Sequence, residues 1–389
     1  MGPRFETTPR RRWPLAVLAL LLAALWLAAA FELGRRGLRP APLSDVGKDA
    51  GGGARATLPA PETPTSESAP HAPVRVYFSP SPPGTPAGPA AQLLALLARA
   101  RESVLCAWYD LELDAAAEAL VALHRRGVRV GLVSDSDYRS RAAMKTVLEA
   151  GVPVVFDDSS GLMHNKFCVV DGQMVWTGST NITNNCLFRN NNNALLLVSP
   201  ELAENYAAEF NEMFSLRRFG PGPSKPTPHP VVNIGGVRVE CYFAPEDRAL
   251  AALLRTVGGA ADRIDFMAFS FTSTELAEAM AARMGNGVRV RGLFERRGAG
   301  GAHPRDDWLA ARGAEIHLDA NPGTMHHKVI IVDAAVVAAG SYNFSRNAET
   351  RNDENLLILH DTALAGQYLD EMDRLVAEAA GAKSPSVNR

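Results

Sequence analysis

A short pattern occurs twice in this chain and keeps its register in both copies. His164-Asn165-Lys166, Asp171 and Gly178-Ser179-Thr180-Asn181 return as His326-His327-Lys328, Asp333 and Gly340-Ser341-Tyr342-Asn343. Every matched pair is separated by 162 (326−164, 328−166, 333−171, 340−178, 343−181). A constant offset over this many positions is the mark of an internal duplication. It restricts the chain to folds with two like halves, each bringing one histidine, one lysine and one asparagine to a site built twice.

Local chemistry supports the pattern. Residues 167–170 and 173–177 flank Asp171-Gly172, which predicts a β-hairpin with a tight turn. Residues 329–332 and 336–339 flank Asp333-Ala334 in the same way, with a weaker turn signal. Residues two apart on a strand share a face, so His164 projects with Lys166, and His326 with Lys328. His327, one residue out of step, is expected to face the other way and pack. Gly178 and Gly340 are expected to let the backbone approach a ligand closely.

The spacing H-x-K-(x)4-D-(x)6-G-S-x-N resembles that of the phospholipase D superfamily, and two copies resemble its two-domain members. The resemblance covers residues 74–380. It implies an α/β fold of two pseudo-symmetric sandwich domains, each a mixed sheet flanked by helices. It also implies a phosphodiesterase that works through a covalent phosphohistidine, with no metal and no cofactor. Family order makes His164 the nucleophile and His326 the general acid.

The residues fit those roles. A neutral imidazole can attack phosphorus while an imidazolium protonates the leaving alkoxide, and histidine titrates near neutrality. Lys166, Lys328, Asn181 and Asn343 would hold the non-bridging phosphate oxygens, at ~3 kcal/mol per well-placed donor in the transition state. Around the motifs there is no clustering of carboxylates of the kind divalent cations need. Asp171 and Asp333 are expected to serve the hairpin turns rather than the reaction. Ser179 and Ser341 are supporting positions.

The halves differ at one informative place. Glu354 follows Asn343 by eleven residues, and the matching position in the first half is Asn192 (354−192 is again 162). In the family an acid here commonly hydrogen-bonds the far nitrogen of a catalytic histidine. Glu354 is therefore expected to orient either His326 or His164, whereas Asn192 can orient without neutralising charge.

At 389 residues the chain has room for both halves, and a net charge of −2 gives no global basic field for nucleic acid. Arg189, Arg346 and Arg351 lie near the motifs and leave a local basic cleft open. Cys106, Cys168, Cys186 and Cys241 show no C-x-x-C pair and no zinc spacing, and sequence selects no disulfide among them.

Arg10-Arg11-Arg12 precede an uncharged run over residues 13–31, nearly long enough at ~1.5 Å per residue to span a hydrocarbon core. The segment 1–39 is thus expected to be an anchor that leaves the body extracytoplasmic, or a cleaved signal giving a secreted form. Residues 40–73 form a Pro/Ala/Gly-rich tether, 74–218 the first domain, 219–232 a linker, 233–380 the second domain and 381–389 a tail. The expected partner is a phospholipid or membrane surface, with nucleic acid as the alternative. The expected reaction is hydrolysis of a phospholipid to phosphatidate and head group, with cleavage of DNA or RNA, or phosphatidyl transfer as in cardiolipin synthesis, as the alternatives. One chain, as an internal pseudo-dimer, is expected to be a complete enzyme.

Overall fold

The computed structural model describes residues 72–298 and 305–382. The expected anchor lies outside these residues, as do the tether apart from 72–73 and the tail apart from 381–382, which belong to the last helix. Among the described residues no helix is long and apolar enough to cross a membrane.

The first half contributes β1 (Val74–Ser79), β2 (Ser103–Trp108), β3 (Arg129–Asp135), β4 (Val154–Asp157), β5 (Lys166–Val170), β6 (Met174–Gly178) and β7 (Asn192–Val198). They form one sheet in the order β1-β7-β6-β5-β2-β3-β4. Only β2–β3 and β3–β4 run parallel, so the sheet is mixed, as expected. The second half supplies β8 (Val231–Ile234), β9 (Val237–Ala244), β10 (Arg263–Ala268), β11 (Arg289–Phe294), β12 (Glu315–Leu318), β13 (Lys328–Val332), β14 (Val336–Gly340) and β15 (Glu354–His360). Its order, β12-β11-β10-β13-β14-β15-β9-β8, repeats the first and adds one edge strand. That extra strand, β8, begins inside the proline-rich linker and turns into β9 through Gly235-Gly236, both at positive φ.

Helices α1 (Pro89–Arg99), α2 (Asp114–Arg125) and α3 (Ala142–Glu149) cover the outer face of the first sheet. Their apolar stripes, including Leu93, Leu97, Leu120 and Met144, are fully buried against Val104, Cys106 and Leu132. In the second half α5 (Ala249–Gly258) and α6 (Thr274–Met284) do the same. The helix that follows each sheet's β7 or β15 behaves differently. Both α4 (Pro200–Leu216) and α7 (Thr362–Ala382) bury Tyr206, Phe210, Tyr368 and Met372 in a central core drawn from both halves. Each such side chain contributes roughly 1.5–3 kcal/mol by leaving water, so the two halves are held as one unit. Ser199 caps α4 on the amide of Leu202, with Pro200 in the first turn.

The hairpin turns carry the register. Asp171 and Gly172 sit at φ 52° and 60°, Asp333 and Ala334 both at 52°. Successive positive φ values make these the primed turns that match strand twist. Each aspartate then accepts three backbone N–H bonds from the preceding strand entry, at 101–103 and 261–263. Those bonds hold both carboxyls below the usual carboxylate range. At Gly178 and Gly340 packing alone demands glycine: a Cβ there would come within 2.5 and 2.2 Å of the carbonyl oxygens of Asn193 and Asn355. All four cysteines are free and buried, with Cys106 and Cys168 facing each other across β2 and β5.

Candidate active site

β5 and β13 begin at Lys166 and Lys328, so each histidine lies just before its strand, where the two sheets meet. Two short bridges tie the halves together at this point, Met163 with Asp353 and Asn191 with Met325. His164 N–H donates to the Asp353 carbonyl and His326 N–H to that of Asn191, at 3.0 and 2.8 Å. Each of these strand entries is therefore held by the opposite half.

The side chains cross over too. His164 Nδ1 lies 2.8 Å from Glu354 Oε2, and His326 Nδ1 lies 2.8 Å from Asn192 Oδ1. This decides what sequence left open: Glu354 serves His164, not the histidine of its own half. Ser341 donates to Glu354 at 2.6 Å and Ser179 to Asn192 at 3.0 Å, so both serines orient the orienting residues. With Nδ1 engaged, Nε2 is the ring nitrogen left to each imidazole.

Lys166 and Lys328 are 1 % exposed, and each Nζ donates to the carbonyl of the histidine two residues earlier, at 2.6 and 2.9 Å. Burial lowers Lys166 to about 8, against the pull of Glu354. Lys328 is lowered well below the usual amine range by burial and by Lys166. His164 falls to about 4, first through burial and then through the lysines, with Glu354 opposing. His326 falls well below its usual value through burial, Lys328, Lys166 and His164. The four groups thus sense one another across the halves. Two lysines and two imidazoles gathered around one carboxylate make a site whose basic groups outnumber its acids, one that an anion would complement.

Asn181 and Asn343 are half-buried at the hairpin exits, and the side-chain oxygen of each has no hydrogen-bond partner. Asp171 and Asp333 stand at the far turns. His327 is fully buried between Asn193 and Glu371, as its register predicts. Arg189, Arg346 and Arg351 are exposed.

Two aromatic residues escaped sequence reasoning. The Tyr109 ring packs edge-on to His164 at 4.8 Å and under Lys166 Nζ at 4.7 Å. Phe269 does the same for His326 and Lys328, at 4.6 and 4.8 Å. Both directly follow apolar strands and look like their continuation; a near-constant offset (269−109 is 160) was the available signal. Tyr109 alone carries a hydroxyl, bonded to Tyr138 at 3.2 Å, so the two sides of the site are chemically unequal.

The chain is similar to several known proteins. The family model described as "Cardiolipin synthase, PLD-like domain" matches residues 93–214 and 253–376, one match per half. A mitochondrial cardiolipin hydrolase of Xenopus tropicalis is 38% identical over 125 residues, 32% of this chain and 60% of that protein. The chain thus spans less than two thirds of the length of that relative. A solved phospholipase D family member, Nuc from Salmonella typhimurium, is 31% identical and is 95% covered, over 36% of this chain, with a TM-score of 0.35. The phosphatidylserine synthase of Haemophilus influenzae shares the fold over 77% of this chain and 86% of its own, with a TM-score of 0.59 at 15% identity.

Proposed function

The chain belongs to the phospholipase D superfamily, and on that premise we propose that it hydrolyses a phospholipid phosphodiester to phosphatidate and a free head group, without a metal. One observation carries the reading: both His–Lys pairs open on one site, with a carboxylate behind His164 and an amide behind His326.

His164, neutral near pH 7, attacks phosphorus through Nε2 as its Nδ1–H donates to Glu354. The imidazole becomes cationic on forming the P–N bond, and the Glu354 carboxylate, 2.8 Å from its Nδ1, stabilises that charge. Lys166, Lys328, Asn181 and Asn343 take the non-bridging oxygens. The bound anion offsets both lysines and so restores a proton to His326, whose Nε2–H then protonates the leaving alkoxide. The resulting neutral His326 removes a proton from water, the oxygen attacks phosphorus, the P–N bond breaks and His164 returns. The asymmetry fits this division: a carboxylate suits the imidazole that must carry charge in an intermediate, and a neutral amide suits one that must give its proton away.

Lipid is favoured over nucleic acid because the matched family description and the relatives named cardiolipin hydrolase concern lipids, and because the chain has a net charge of −2. The apolar run at 13–31 would anchor the body at a membrane. The test is to present the full chain with vesicles containing cardiolipin or phosphatidylcholine, and separately with single-stranded DNA and RNA, all in EDTA. Head-group release without nucleic-acid cleavage is expected. Cleavage of nucleic acid alone would overturn the substrate, transfer to an added alcohol in place of water would overturn hydrolysis, and inhibition by EDTA would overturn the metal-free chemistry.

A further inference from the structure

α4 and α7 are related by the same offset as the histidines, and their inward faces repeat one hydrogen-bond network. In α7, Tyr368 reaches Asn193 at 3.1 Å, and the buried Glu371 meets His327 at 3.4 Å and Arg374 twice at 2.8 Å. In α4, Tyr206 reaches Asn355 at 3.3 Å, and Glu209 accepts from Asn165 at 3.2 Å. Here the likeness stops. The place of His327 is taken by Asn165, and the place of Arg374 (374−162) by Glu212. Both partners of Glu371 are replaced, the imidazole by an amide and the guanidinium by a second carboxylate. Among the described residues neither Glu209 nor Glu212 has an ion-pair partner.

A cavity of about 370 Å³ opens at this place, between α4 and the connector at 224–228. Glu209, Glu212, Glu246 and Asp247 line it together with Phe243 and Leu216. An adjoining cavity of about 250 Å³ shares the three glutamates and is also lined by Asp353. Asp353 is 4 % exposed; its Oδ1 accepts from Gly220 at 2.8 Å, but its Oδ2 has no partner. Arg217, Arg218 and Lys225 stand exposed at the rims; the backbone N–H of Lys225 donates to Glu212 at 3.2 Å, but among the described residues none of the three side-chain charges pairs with these carboxylates. Burial and the neighbouring acids push Glu209 and Asp353 well above the usual carboxylate range, and Glu246 to about 7.

We propose that this cavity binds an organic cation, a guanidinium or alkylammonium on a short apolar stem, which does for Glu209 what Arg374 does for Glu371. Among the described residues no three His, Cys, Asp or Glu stand close enough to hold a metal ion, so the occupant is a larger cation that bonds through several N–H groups. Phe243 and Leu216 give its stem an apolar wall. Asn165, the residue between His164 and Lys166, links the cavity to the catalytic strand. The inference is independent of which phosphodiester the enzyme cleaves.

Agmatine, which carries both head groups, is the probe. With the full chain, calorimetry is expected to show saturable one-site binding with a Kd of about 1 mM or tighter, and a matching rise in Tm. Glu212→Arg installs the missing guanidinium; it is expected to raise Tm without ligand and to abolish agmatine binding. Glu209→Gln is expected to weaken binding about tenfold or more. If that variant fails to fold, the half-buried Glu212 position carries the test. The proposal is overturned if no saturable heat appears up to ~10 mM agmatine. It is equally overturned if sodium chloride at the same ionic strength raises Tm as much, or if Glu212→Arg binds agmatine like the wild type.

Discussion

Replacing Glu354 by glutamine keeps the shape behind His164 and removes one charge. Glu354 is fully buried, accepts from Ser341 at 2.6 Å and from Asn352 at 3.3 Å, and lies 2.8 Å from His164 Nδ1. A charge-assisted hydrogen bond is worth ~1.5–3 kcal/mol against ~0.5–1.5 for a neutral one. The phosphohistidine and the transition state leading to it therefore lose roughly 1–2 kcal/mol, or about 5- to 30-fold in the rate of phosphoryl transfer. The sign with pH follows from the same contact. Glu354 raises His164 against the larger effect of burial, so Glu354→Gln lowers it below about 4. His164 attacks as the neutral base, so the acid limb of the profile moves down and no increase in pH restores the rate. The assay is single-turnover cleavage of a phosphodiester across pH 4–9, with circular dichroism to verify folding. A variant within about threefold of wild type, or one fully rescued at high pH, would refute the reasoning.

Asn192→Asp gives His326 the carboxylate it lacks; its pKa should rise by about one unit or more, carrying the basic limb of kcat/KM upward, and an unmoved limb would contradict its role as acid. His164 titrates near 4 in the folded chain and near 6.5 unfolded, so the native state binds fewer protons between these values and loses stability as pH falls through them. Denaturation of His164→Gln should therefore show a shallower decline over that window, by roughly 2–3 kcal/mol; Glu209 and Asp353, displaced upward, act with opposite sign in both proteins and cancel in the comparison. Ala334 holds φ 52° in a turn where the first half has glycine, so Ala334→Gly should stabilise by about 1 kcal/mol and raise Tm by ~2 °C without changing kcat.

The repeat made much of this legible, because duplication turns one ambiguous motif into two that check each other. The hairpins, the shared faces of His164 with Lys166 and His326 with Lys328, and the inward packing of His327 follow from strand periodicity alone. The crossover of Glu354 onto His164 does not, because a contact spanning 190 residues depends on how the sheets dock. The demand for glycine at 178 and 340 was legible, but its source, the backbone of the neighbouring strand, was not, since a glycine's need for space does not say what stands beside it. β8 was hidden by the prolines before it. Tyr109 and Phe269 were hidden by their apolar neighbours, and the loss of charge partners around Glu209 only acquires meaning beside the intact set around Glu371.

The central claim is a phosphate carried on one histidine in a site that two halves complete. A p-nitrophenyl phosphodiester needs no acid to depart, whereas hydrolysis of the intermediate needs His326 as base. His326→Asn mixed with this substrate and quenched in alkali should therefore release p-nitrophenol in a burst and accumulate an alkali-stable, acid-labile phosphoryl group on His164. Mass spectrometry of the digested chain locates it. A burst with the adduct on another residue, or with no adduct at all, would contradict the account.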